Sequence, residues 1–89
     1  MKLKEGLILH KMAGECMMIA VGDTVKEFGG YMMLNETAEF IARQLMEDIT
    51  DETLVDTVCA RYDVGRERAA GSVRRSLEEL EKRGLLEEK

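Results

Sequence analysis

Few side chains in this sequence could do covalent or metal chemistry, and they are scattered. His10 is the only histidine, and Cys16 and Cys59 are the only thiols. A metal centre or a nucleophilic site needs several such groups to converge. His10 has no acidic or thiol neighbour at ligand spacing, and the cysteines lie far apart, outside any CxxC pair. They read as two buried thiols of a reducing compartment, where free cysteine packs as a small hydrophobe. No glycine-rich phosphate loop, Ser/His/Asp set or cofactor fingerprint can be assembled. The expectation is a non-enzymatic protein with no metal and no cofactor.

Two other kinds of group remain, charges and backbone. From Arg61 to Ser76 five arginines (Arg61, Arg66, Arg68, Arg74, Arg75) face only Asp63 and Glu67, a local +3. From Leu77 to Lys89 five glutamates outnumber three basic residues, a local −2. The basic stretch fits an acidic partner or a solvated helical face. The backbone signal lies in Gly29 to Phe40, GGYMMLNETAEF. Tyr31-Met32-Met33-Leu34 is an apolar run behind a Gly-Gly breaker and reads as a strand. Asn35 follows at once, with a side-chain oxygen for the free N–H groups of a first helical turn, and Glu36 suits the positive end of the helix dipole. A strand held so closely to a helix, in a chain with few strands, predicts an unpaired edge. Such an edge must be covered or else binds another chain.

The rest of the chain must position that junction. Its 89 residues allow one domain, 1–89, with a single core. Apolar residues at 45% suffice for folding, and charged residues at 35% argue against a membrane protein. No apolar run nears the roughly 20 residues of a spanning helix. Leu7-Ile8-Leu9 is too short for a signal peptide, so the expected location is cytoplasmic. The net charge of −5 disfavours nucleic acid as the main partner, because phosphate contacts need a basic surface.

Strands are expected at Leu7 to Lys11, Cys16 to Val21 and Tyr31 to Leu34. Ala13-Gly14-Glu15 forms the first turn and Gly22 to Gly30 the second. The first helix runs from Glu36 to Glu47, on a stripe of Ala38, Ile41, Ala42, Leu45 and Ile49. Thr50 or Asp51 caps the second, which buries Leu54, Val55, Val58, Cys59 and Tyr62. The third buries Ala69, Val73, Leu77 and Leu80 and ends at Gly84. Leu85-Leu86 then folds back onto the core. Three strands followed by three helices make an α+β arrangement. The last two helices, joined at Asp63-Val64-Gly65, resemble a helix-turn-helix hairpin, a geometry that does not by itself imply DNA binding.

With these elements in order, the chain resembles the PqqD family of small proteins, named for pyrroloquinoline quinone biosynthesis. The likeness rests on the junction YMMLNETA, the helix ending ARYDV, the pattern Val73-x-x-x-Leu77-x-x-Leu80 and the closing Arg83-Gly84-Leu85-Leu86. It extends from Lys4 to Glu87. The resemblance implies a winged-helix-like fold with a three-stranded antiparallel sheet and three helices. It also implies a RiPP recognition element, which binds the leader of a ribosomally made precursor peptide and presents it to a modifying enzyme, often a radical SAM protein. In the family the leader adds as a strand beside the third strand, against the third helix. Two departures are visible. Ser76 stands where many relatives carry a bulky aromatic, and Gly65-Arg66 replace the usual acidic-proline opening of the third helix.

Carried onto this chain, the resemblance places the peptide on Tyr31, Met32, Met33 and Leu34 of the strand and on Ala70, Val73, Arg74 and Leu77 of the third helix. Alternation puts Met32 and Leu34 toward the core and leaves Tyr31 and Met33 nearer the guest. Which flank of the third helix faces the strand is not legible, so Arg75 and Ser76 are rivals to Arg74. The alternative function is a winged-helix DNA-binding regulator built on the arginines. A monomer and a homodimer are both compatible with the sequence.

Overall fold

A tight two-residue turn sets the register of the whole sheet. The computed structural model describes residues 1–22, 25 and 30–87. The interior of the turn expected over Gly22 to Gly30 falls largely outside these residues. Strands β2 (Leu7–Met12) and β3 (Glu15–Ala20) are joined by Ala13 and Gly14 alone. Both take positive φ, 53° and 82°, as a hairpin turn that matches the twist of its strands requires. Strand β4 (Tyr31–Leu34) pairs antiparallel with β3, giving the order β2-β3-β4. The expected meander is therefore present.

Helix α1 (Glu36–Gln44) begins directly after β4, and the Asn35 side chain accepts a hydrogen bond from the backbone N–H of Ala38 at 2.8 Å. It ends three residues earlier than the apolar stripe suggests. The Leu45 N–H is shared between the Ile41 and Ala42 carbonyls, which tightens the last turn and closes the helix. Leu45 and Ile49 still pack inward from beyond its end. Helix α2 (Asp51–Tyr62) is capped by Thr50, whose hydroxyl accepts from the N–H of Thr53 at 3.1 Å. It ends at Asp63, in the left-handed conformation. Helix α3 (Arg66–Lys82) starts from Gly65 with no side-chain cap, as the departure at Gly65-Arg66 predicts.

Gly84, at φ 72°, terminates α3. The Leu85 N–H reaches the Leu80 carbonyl and the Gly84 N–H that of Glu81, both at 2.9 Å, the pair of bonds that closes a left-handed helix end. Leu85 is thereby turned into the core. Strand β1 (Lys2–Leu3) pairs with β5 (Leu86–Glu87) as a separate ladder. Two-residue strands carry no periodicity to detect.

The core lies between one face of the sheet and the three helices. Met18, Ile41, Leu45, Leu54, Val58, Leu85 and Cys16 are its most enclosed members. Burial pushes the Cys16 thiol up, while Cys59 is only half-buried, so one of the two expected buried thiols is partly accessible.

An exposed charge cluster ties the sheet to α1. Glu39 accepts from Arg43 at 2.9 and 3.1 Å, and Lys11 of β2 approaches it at 3.4 Å. Hydrogen bonding from Arg43, with Lys11 beside it, holds the Glu39 carboxyl below the usual carboxylate range. A depressed folded value means stability that is present above the unfolded value, about 4.3, and is lost as pH falls through the folded one. Glu39→Gln is therefore expected to lower the urea midpoint at neutral pH, with the gap to the parent protein closing as pH falls below the ordinary glutamate range. A pH-independent gap would assign the effect to packing instead.

Candidate functional site

The backbone parity of β4 follows from the hairpin turn. With a two-residue turn, Met12 and Glu15 form a hydrogen-bonded pair, and so do alternate pairs behind them. The Val21 N–H bonding to the Gly6 carbonyl at 2.7 Å continues that series. Glu15, Met17 and Ile19 thus direct their backbone groups to β2, which leaves those of Cys16 and Met18 for β4. Their partners in register are Leu34 and Met32. Hence Met32 and Leu34 spend their N–H and C=O groups on β3, while Tyr31 and Met33 point theirs to the open side. No strand pairs with that side among the described residues. A guest strand would bond to Tyr31 and Met33.

The side chains divide by the same alternation. Leu34 is buried and Met32 half-buried against the core, whereas Tyr31 and Met33 are 62% and 47% exposed. This is the inward and outward assignment expected from the sequence.

What distinguishes the β4 edge is a cleft of about 340 Å³ beside it. Met32, Leu34, Thr37, Ala38 and Ala42 form one wall and floor, from β4 and α1. The opposite wall is α3, through Ser72, Arg75, Ser76 and Glu79, with Leu80 at the base. Those positions recur three and four residues apart, on one helical face. The small side chains of Ser72 and Ser76, one turn apart, leave space for a strand between α3 and β4.

The four α3 residues expected at the cleft do not line it. Ala70, Val73, Arg74 and Leu77 lie on the other flank, in a groove shared with α2, and Val73 is core. Of the rival positions, Arg75 and Ser76 face β4. The apolar stripe marks the side of α3 packed against its neighbours, whereas the side left open to a guest is polar. The serine pair was the available signal.

The cleft is electrostatically uneven. Arg75 has no carboxylate partner among the described residues, only a long 3.4 Å contact to the Ser72 hydroxyl. Glu79 is engaged by Arg83 at 2.9 Å. Two of the other arginines are engaged away from the cleft. Arg61 sits over the Phe40 and Tyr62 rings, which meet edge to face at 5.6 Å, and Arg66 pairs with Asp56. No cluster of three or more metal-holding side chains occurs among the described residues.

An open strand edge beside a helix-walled cleft is the architecture of a module suited to taking an extended segment as an added strand. Comparison with known proteins gives that class a family. Residues 12–86 match the family Coenzyme PQQ synthesis protein D (PqqD), and the chain belongs to it. No curated protein matches significantly in sequence. Among solved structures, the chain is similar to TbiB1 in complex with the TbiA(beta) leader peptide. That match has 27% identity and a TM-score of 0.78, covering 100% of this chain and 98% of the other. It also shares the fold of lasso peptide synthetase B1 complexed with its leader peptide, at 19% identity and TM-score 0.72, over 94% and 93% of the two chains.

Proposed function

We propose that residues 1–89 act as a RiPP recognition element, binding the leader segment of a ribosomal precursor peptide and presenting it to a modifying enzyme. The observation that carries this reading is the backbone of Tyr31 and Met33, without a strand partner among the described residues and opening onto a cleft with an apolar floor. The leader adds as a fourth strand beside β4. Its main chain bonds to Tyr31 and Met33, and alternate side chains enter the cleft over Met32, Ala38 and Ala42. Methionine at the floor suits varied guests, because its thioether chain is flexible and polarizable. Membership of the PqqD family and the leader complexes of its structural neighbours support the same reading. The module's work is binding and delivery in the cytoplasm, not catalysis, and a radical SAM protein is the modifying enzyme that the family likeness suggests.

The test is titration of the labelled protein with the leader segments of short reading frames neighbouring the gene. Binding that perturbs β4 and the Ser72 to Glu79 face supports the reading. If no candidate perturbs either element, it fails. A gel shift on duplex DNA, with a steep salt dependence, would favour a DNA-binding regulator instead.

Arg75 supplies a more specific expectation. A guanidinium with no carboxylate partner among the described residues favours a leader carrying a carboxylate at that point, through a charge-assisted contact. Arg75→Glu should raise the leader Kd about tenfold at low salt, with the difference shrinking as ionic strength rises. Arg75→Lys should retain part of the affinity. An Arg75→Glu affinity equal to the parent's would remove Arg75 from the interface.

A further inference from the structure

The flank of α3 turned away from β4 carries a second concave surface, a groove of about 610 Å³ between α2 and α3. Its floor is apolar. Val55 and Val73 are buried there, and Ala70 and Leu77 are half-buried and open to the groove. Its rim is acidic. Asp51 and Glu52 stand at the start of α2, and Glu78 and Glu81 near the end of α3. Two arginines also reach the groove, but Arg66 is already paired with Asp56. That leaves Arg74 against four carboxylates. Glu52, Glu78 and Glu81 hold no salt bridge among the described residues. The carbonyl end of the α3 dipole adds negative potential beside Glu81, while the amide end of α2 offsets part of the charge of Asp51 and Glu52.

We infer that this groove seats a cationic amphipathic helix of a protein partner. The net negative rim sets the sign of the guest and disfavours nucleic acid. The flanking elements set its conformation. At the floor, from Val55 and from Ala70 to Leu77, both walls are helix interiors whose backbone bonds are satisfied internally, so the floor offers no ladder to an extended chain. A guest must satisfy its own main chain, which a helix does. From Ala70 to Glu81 the wall spans about 16 Å, the length of roughly three helical turns. Aliphatic side chains of the guest would rest on Ala70 and Leu77, while lysines or arginines meet Glu52, Glu78 and Glu81. The inference goes beyond the leader-binding reading, since the groove shares no lining residue with the β4 cleft. A leader and a partner helix could be held at once on opposite flanks of α3.

The probe is a synthetic three-turn helical peptide with one leucine stripe and lysines on its remaining faces, titrated into the isotope-labelled full chain. A second peptide carries glutamates in place of the lysines. The lysine peptide is expected to shift the amides of Val55, Ala70, Arg74 and Leu77 saturably, and the glutamate peptide to leave them unmoved. Glu78→Lys combined with Glu81→Lys should weaken the lysine peptide about tenfold. Because both residues are exposed, the fold should persist. A leader titration of that variant, read at Tyr31 and Met33, checks the other site separately. Shifts scattered over the acidic surface, no shifts, or equal affinity for the doubly reversed variant would each overturn the inference, whatever happens at β4.

Discussion

Met33→Pro is expected to weaken leader binding by roughly tenfold or more while the protein stays folded. Proline lacks the N–H that Met33 directs to the open side of β4, and its ring occupies the space where the guest carbonyl would sit. The lost donor leaves that carbonyl unpaired, which costs about 1–3 kcal/mol, and each 1.4 kcal/mol is tenfold in Kd. The neighbouring substitution provides the contrast. Met32 bonds to Met18 of β3, so Met32→Pro breaks the ladder inside the sheet and should destabilise the whole domain. Circular dichroism melting separates the two effects, and fluorescence anisotropy with a labelled leader reads the affinity. If Met33→Pro bound the leader as tightly as the parent protein does, the β4 edge would not be the interface.

Leu45→Ala should produce a large loss of stability. Leu45 is fully enclosed, and its own carbonyl accepts from the Leu3 N–H at 2.8 Å, fastening β1 to the end of α1. Alanine preserves that backbone bond, so the change isolates the side chain. Removing a buried leucine side chain typically costs about 2–5 kcal/mol. Against a total of about 5–15 kcal/mol, that is a large share for so small a domain. A urea titration should show the midpoint falling with the slope unchanged. Leader affinity measured on the folded fraction should hardly move, because Leu45 does not line the cleft. A loss under about 1 kcal/mol would mean that the core collapses around the gap.

The two substitutions act on features of unequal legibility. Leu45 was visible in the sequence as one beat of an apolar stripe, although the helix carrying that stripe stops before it. Burial follows from the spacing of apolar residues, which survives a misplaced helix end. The β4-α1 junction was legible for a different reason, since Asn35 and Glu36 provide local chemistry that acts within one turn. The exposed Tyr31 and Met33 followed from strand alternation. The cleft-facing side of α3 did not follow. Val73 and Leu77 draw attention because they are apolar, yet apolar residues identify the packed side of a helix. The wall left for a guest is Ser72, Arg75, Ser76 and Glu79, and its orientation depends on how α3 crosses β4, a tertiary property with no local signature. The β1-β5 ladder was illegible too, because its two strands are short and stand at opposite ends of the chain.

Hydrogen exchange at the amides of β4 tests the recognition of a leader strand most directly. In the free protein Tyr31 and Met33 should exchange quickly, while Met32 and Leu34, bonded to β3, are protected. Saturation with a leader peptide should slow Tyr31 and Met33 and leave the other two nearly unchanged. A leader that binds without slowing Tyr31 and Met33 would contradict strand addition at this edge.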